Sequence, residues 1–226
     1  MTAQSGVHRV VALVFPGVVA FDLSIAAQVF GHRDERERYD FVVCSERSGR
    51  VATSTAFGID VRSGLDAIEA ADTVIVPGFY PLLSVEGPAL DALRSAAARG
   101  VRIASVCTGA FALAEAGLLD GRAATTHWDE AEHFRARFPR VRLNADVLYV
   151  DEGPILTSAG LSAGIDLCLY LVRKDHGERV AADIARRMVV ATHRTGGQTQ
   201  YALRPLPRTA ASVRHASGPW PRCGAL

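Results

Sequence analysis

Only four cysteines occur in 226 residues, and no two of them form a CxxC pair or take a metal-ligand spacing. Cys44, Cys107, Cys168 and Cys223 therefore read as reduced thiols, the state kept in the cytoplasm. Neither a metal nor a cofactor is expected. No apolar run reaches the roughly 18–20 residues that span a bilayer, so no membrane partner is expected. The opening stretch 1–8 is short and polar, which does not suit a secretory signal. An excess of one charge is also missing. The 25 Lys and Arg against 24 Asp and Glu leave +1, too little for an overall attraction to nucleic acid or anionic lipid. No internal repeat or low-complexity segment is visible. What is present is a hydrophobic content of 49%, enough for the core of one large domain.

Apolar runs and helical periods alternate along the chain. Residues 9–15 (RVVALVF), 39–44 (YDFVVC), 73–76 (TVIV) and 101–106 are short, apolar and β-prone, as suits strands buried on both faces. Between them, 23–30 and 89–98 have helical spacing, closed by Gly31 and Gly100. The charged run 32–38 reads as a solvated connection. Residues 51–52 and 59–61 suggest a small antiparallel excursion. Further on, 129–138, 160–173 and 177–190 read as helices, and 147–150 with 155–157 as a hairpin. This alternation predicts an α/β fold with a mostly parallel sheet, and places ligand sites outside the carboxyl ends of the strands. After Tyr201 the pattern changes: four prolines and four arginines among residues 202–226 predict a basic, loosely ordered tail.

The most informative stretch is 103–114. A short strand leads to Cys107, Gly109 allows a sharp turn, and residues 110–119 resume as a helix. That is the geometry of a nucleophile elbow with cysteine in place of serine. It implies a thiol above the strand end, with a pKa lowered by the following helix N-terminus. It also aims the N–H groups of Thr108 and Gly109 at a developing oxyanion. A buried cysteine acting as a small hydrophobe is the other reading.

Ser105-Val106-Cys107-Thr108-Gly109, Ala116-Gly117-Leu118-Leu119-Asp120-Gly121-Arg122 and Ala124-Thr125-Thr126-His127-Trp128 resemble the ThiJ/PfpI superfamily. The likeness runs from about residue 10 to about 190. It implies the class I glutamine amidotransferase-like fold, a flavodoxin-like sandwich with helices on both faces of the sheet. One domain is then expected over 1–200, with the tail at 201–226. Two branches share this elbow: isonitrile hydratase, and the sensory half of AraC-type transcriptional regulators of the GlxA kind. Thr157-Ser158-Ala159-Gly160 and the residues through Gln198 look more like the regulator branch. In that branch the stretch leads into helix-turn-helix units, which need on the order of 100 residues. The tail is shorter and shows no such pattern. DNA is thus an expected partner only where a helix-turn-helix part is supplied.

The resemblance assigns roles residue by residue. Cys107 matches the nucleophile and Asp22 the acid beside it, whose carboxyl should have a raised pKa. Asp22 also suits a helix N-cap. Gly78, Phe79, Thr108, Gly109 and His127 are the expected ligand-binding residues, with Tyr80 as a further pocket aromatic. His127 equally suits a structural role beside Trp128. Thr108 stands where protease-like members carry histidine, so peptidase or amidase activity is not expected. A small-molecule ligand and a homodimer are what the family implies. The leading expectation is a ligand-sensing domain. The alternative is hydration of an isocyanide, with Cys107 as nucleophile and Asp22 as acid and base.

Overall fold

The β-prone runs do become strands, and helices separate them. The computed structural model describes residues 7–32, 37–82 and 84–200. Most of the charged connection 33–36, most of the opening stretch and the whole tail from 201 lie outside the described residues. In chain order the elements are β1 (His8–Leu13), α1 (Ala20–Phe30), β2 (Tyr39–Cys44), β3 (Gly49–Ala52), β4 (Gly58–Val61), β5 (Thr73–Val76), α2 (Pro88–Ala98), β6 (Arg102–Val106) and α3 (Gly109–Glu115). They continue with β7 (Ala123–Ala124), α4 (Ala131–Arg137), β8 (Arg142–Leu143), β9 (Tyr149–Glu152), β10 (Ile155–Ser158), α5 (Ser162–His176) and α6 (Glu178–Arg187).

Six strands form one sheet in the order β2-β1-β5-β6-β10-β9. All neighbours are parallel except β9, which returns antiparallel to β10. This is the flavodoxin-like α/β sandwich. Side chains alternate between the two faces, as a pleated strand requires. Val11, Leu13, Val74, Val76 and Ile103 pack with Leu93, Phe111 and Phe134 of α2, α3 and α4. Val10, Ile75, Ala104, Val106 and Leu156 pack with α1, α5 and α6 on the other face, among them Ile25, Val29, Leu167 and Leu171. Each large apolar side chain so buried contributes about 1.5–3 kcal/mol. The β3–β4 excursion is an antiparallel pair, docked where the Gly17 N–H donates to the Ala52 carbonyl at 2.8 Å.

Several boundaries differ from the sequence reading. Helix α1 begins at Ala20 with Val19 as its N-cap, so Asp22 sits inside the first turn and caps nothing. Helix α3 stops at Glu115, because Gly117 takes φ +75° and turns the chain. Residues 128–130 form a separate 3-10 turn before α4. Gly177, at φ +84°, divides α5 from α6. The short parallel pair β7–β8 was not anticipated.

At the amino ends of the strands lies a polar network. The Arg102 guanidinium grips Asp175 with two bonds of 2.7 Å, and the Tyr39 hydroxyl donates to the same carboxylate at 3.0 Å. Thr73 Oγ1 accepts from Arg102 Nε and bonds His8 Nε2, each at 2.9 Å. Burial alone would raise the Asp175 pKa, but Arg102 holds it below its ordinary value. Among the described residues no helix is long and apolar enough to cross a membrane.

Candidate functional site

The opposite end of the sheet carries the elbow. Strand β6 delivers Cys107 with φ +57°, a left-handed conformation that costs a non-glycine residue about 1–3 kcal/mol. Neighbours hold it there. The Cys107 N–H donates to the Ser158 carbonyl at 3.0 Å, and the Thr126 hydroxyl donates to the Cys107 carbonyl at 3.1 Å. Gly109 lets α3 approach β5: a Cβ there would stand 2.1 Å from the Val76 carbonyl oxygen. Gly160, at φ +91°, leaves room for the thiol, since its Cβ would lie 2.3 Å from Cys107 Cβ and 2.9 Å from Sγ.

Helix α1 brings Asp22 to the same place. Its side chain is fully buried. Oδ1 accepts the Leu161 N–H at 2.9 Å, whereas Oδ2 has no partner of hydrogen-bond geometry. Gly78 closes the group. A Cβ on it would stand 2.6 Å from Asp22 Oδ2, 2.9 Å from Thr108 Oγ1 and 3.0 Å from Cys107 Cβ. Cys107, Asp22, Gly78 and Thr108 therefore meet at one point, although they come from three separate stretches of chain.

Two expected ligand contacts are otherwise engaged. Thr108 Oγ1 accepts the Phe79 N–H at 2.9 Å and faces the Phe79 carbonyl at 3.1 Å, so its hydroxyl serves the loop. The Phe79 ring is buried against Phe15, with centroids 5.0 Å apart, and so points into the core. His127 packs on Trp128 at 5.6 Å and its Nδ1 accepts the Asp129 N–H at 3.4 Å. Burial lowers the His127 pKa, which keeps the ring neutral at pH 7. His127 lines a cavity of about 180 Å³ with Trp128, Gly160, Leu161, Arg194 and Gln200, next to the elbow. Tyr80 lies near Cys107 and close enough to Glu130 and Asp129 to feel their charges.

The electrostatics correct one expectation. Burial pushes the Cys107 thiol up to about 12, and the Asp22 charge adds to the rise. The Thr108 N–H and hydroxyl pull the other way and lose. Helix α3 has seven residues, and its amino end does not offset the loss of water around sulfur. Burial also pushes Asp22 up to about 6, against the opposing pull of the Leu161 N–H, the Gly78 N–H and the Cys107 thiol. At pH 7 the pair is a thiol facing a carboxylate. A ligand that draws the proton from sulfur finds its acceptor already in place.

Gly160 and Leu161 were missed as site residues. Leu161 has φ +48°, a strained conformation that aims its N–H at Asp22. A glycine directly after a strand was visible, but not that β10 lies beside β6. Among the described residues, no three His, Cys, Asp or Glu side chains are grouped to hold a metal ion.

An open, mostly parallel sheet with a cysteine elbow at its carboxyl edge defines a flavodoxin-like α/β domain. Residues 8–174 match the DJ-1/PfpI family, and the chain belongs to that family. The HTH-type transcriptional regulator CdhR of Pseudomonas aeruginosa is 33% identical over 181 residues, covering 79% of this chain and 54% of the regulator. The chain thus spans about half the length of that relative. Isonitrile hydratase of Pseudomonas putida is 34% identical over 140 residues, 60% of this chain and 58% of the enzyme. Among solved structures, an AraC family transcriptional regulator from Pseudomonas putida superposes with a TM-score of 0.69 at 21% identity. That match covers 80% of this chain and 99% of the other.

Proposed function

We propose that this chain is the ligand-sensing domain of an AraC-type transcriptional regulator, and that a small molecule binds beside Cys107 and Asp22. The reading is carried by a single observation: a cavity of about 180 Å³ lies beside the elbow, walled by Gly160, which abuts Cys107, and by Leu161, whose N–H holds Asp22. Burial that raises the thiol pKa disfavours a resting thiolate nucleophile; a sensor needs only a shaped pocket with groups that respond to an occupant. The likeness to regulators supports the same choice. In this role the domain works in the cytoplasm as a homodimer, and DNA is reached through a helix-turn-helix part supplied elsewhere in a longer protein. Thermal-shift screening against a small-metabolite panel tests the reading. Hits should raise the melting temperature in a saturable way and fail to do so in Asp22→Asn and Cys107→Ala. A panel with no hit, or hits unaffected by both variants, counts against it.

A second reading has its own support, the carboxylate set against the thiol. In a hydratase, Cys107 sulfur attacks the isocyanide carbon while Asp22 takes the thiol proton and passes it to that carbon. Water then adds to the thioimidate carbon and expels the thiol, leaving an N-substituted formamide. The likeness to isonitrile hydratase supports it. Formamide formed from an isocyanide panel, followed by NMR and lost in Cys107→Ala, would establish it over the first.

A further inference from the structure

Residues 191–200 cross the molecule beside the elbow with little apolar hold. All are exposed except Arg194, Gly196 and Gln200. Just before them Val189 is 90% exposed and takes φ +58°. Val190, Ala191 and Arg194 line a cavity of about 300 Å³ together with Ser162, Ile165 and Asp166 of α5. Polar bonds fasten the segment instead, including the Thr192 carbonyl, which accepts from Arg173 Nη2 at 3.0 Å, and the Gln200 N–H, which donates to the Asp146 carbonyl at 3.0 Å. Arg194 Nε donates to Asp166 Oδ1 at 3.0 Å and Nη2 to the Ser162 carbonyl at 3.2 Å. The Gly196 carbonyl accepts the Leu148 N–H at 2.7 Å. Gln200 Nε2 donates to the Thr126 carbonyl at 3.2 Å and the Val147 carbonyl at 3.0 Å.

Two of these fastenings end on residues that hold the site. Ser162 and Asp166 open α5, directly after Leu161, whose N–H holds Asp22. Thr126 receives Gln200 at its carbonyl and gives its hydroxyl to the Cys107 carbonyl. The cavity of about 180 Å³ has Gly160 and Leu161 on one wall and Arg194 and Gln200 on another. An occupant there touches the site and the segment together.

We propose that residues 191–200 are a coupling strap: what fills the space beside Cys107 sets whether the strap is docked, and strap docking sets access to Cys107. The proposal rests on the sensor reading and adds its route of regulation. A segment exposed along most of its length and held by polar bonds rather than apolar packing opens ahead of the core, and its strongest tie, the Arg194–Asp166 ion pair, ends on the helix that follows Leu161. Coupling between two sites is reciprocal, which gives the idea two independent readouts.

The test uses the full 226-residue chain. Arg194→Met and Gln200→Ala should each speed iodoacetamide alkylation of Cys107, read by mass spectrometry at that residue, by at least about five-fold. Arg194→Lys should lie between. Slow amide exchange in β1 and β5 verifies that each variant is folded. In the unmutated chain, alkylating Cys107 should change amide exchange across 191–200 by a similar factor, an arm that needs no variant. Folded variants alkylated at the unmutated rate, with strap exchange unchanged after alkylation, would overturn the proposal. The site itself is tested separately by Asp22→Asn, so a failed strap and a failed site give different results.

Discussion

The two ends of the sheet each draw a carboxylate out of most of its water, and they treat it in opposite ways. At the amino end Asp175 takes two bonds from Arg102 and one from Tyr39, and its pKa is held down. At the carboxyl end Asp22 is fully buried, has no cation set against it among the described residues, and is pushed up to about 6. A satisfied buried charge ties elements together. One left short of partners raises the energy of the folded state, and such groups gather where a ligand or a proton is handled. Two non-glycine residues with positive φ, Cys107 and Leu161, also meet at the carboxyl end.

Mutation can break this contrast from either side. The largest effect should come from Arg102→Met, which leaves Asp175, 15% exposed, without its cation and should cost about 3 kcal/mol or a little more, the low end for a buried pair. Urea unfolding at pH 7 measures it, and a loss under about 1 kcal/mol would mean the amino-end network is not structural. Next is Gly160→Ala. It adds a methyl where Cys107 Cβ already stands, at φ +91°, and should cost about 3 kcal/mol. Gly153→Ala, also at positive φ but in open space, should cost only about 1 kcal/mol. Equal losses would show that backbone conformation, not contact with the cysteine, dominates at Gly160.

Asp22→Asn should act in the opposite direction. With a folded-state pKa of about 6 against an ordinary 3.8, folded protein binds the Asp22 proton more tightly than unfolded chain does. Its contribution to stability is therefore complete below about pH 4 and is lost as pH rises through about 6. Asparagine removes that dependence and keeps an acceptor for the Leu161 N–H. Stability at pH 8 should rise by about 2 kcal/mol, with the gain fading toward pH 4. A destabilised variant at pH 8 would place Asp22 with Asp175, as a paired structural charge.

The sheet was legible because its strands are short, apolar and punctuated: 39–44 and 73–76 appear as read. The elbow was legible because Cys107 and Gly109 sit between a strand pattern and a helix pattern. Helix ends were less so. Asp22 resembled a cap, yet the chain enters α1 at Ala20, and nothing local reveals that its carboxyl meets Leu161, 139 positions away. The cysteine pKa was misjudged for a related reason. A helix amino end is visible in sequence, whereas the burial that overrides it comes from Gly160 and Asp22, both remote in the chain. Phe79 and Thr108 stand beside the elbow, but their orientation follows from the Phe15 ring and the Phe79 backbone.

The central claim is that burial and the Asp22 charge together keep Cys107 a thiol. The pH profile of iodoacetamide alkylation at Cys107, with and without Asp22→Asn, tests it most directly. With a thiol pKa near 12, the rate should climb through pH 10 without levelling, and removing the charge should move the profile to lower pH. A plateau below pH 8, or a profile that Asp22→Asn leaves in place, would contradict the account.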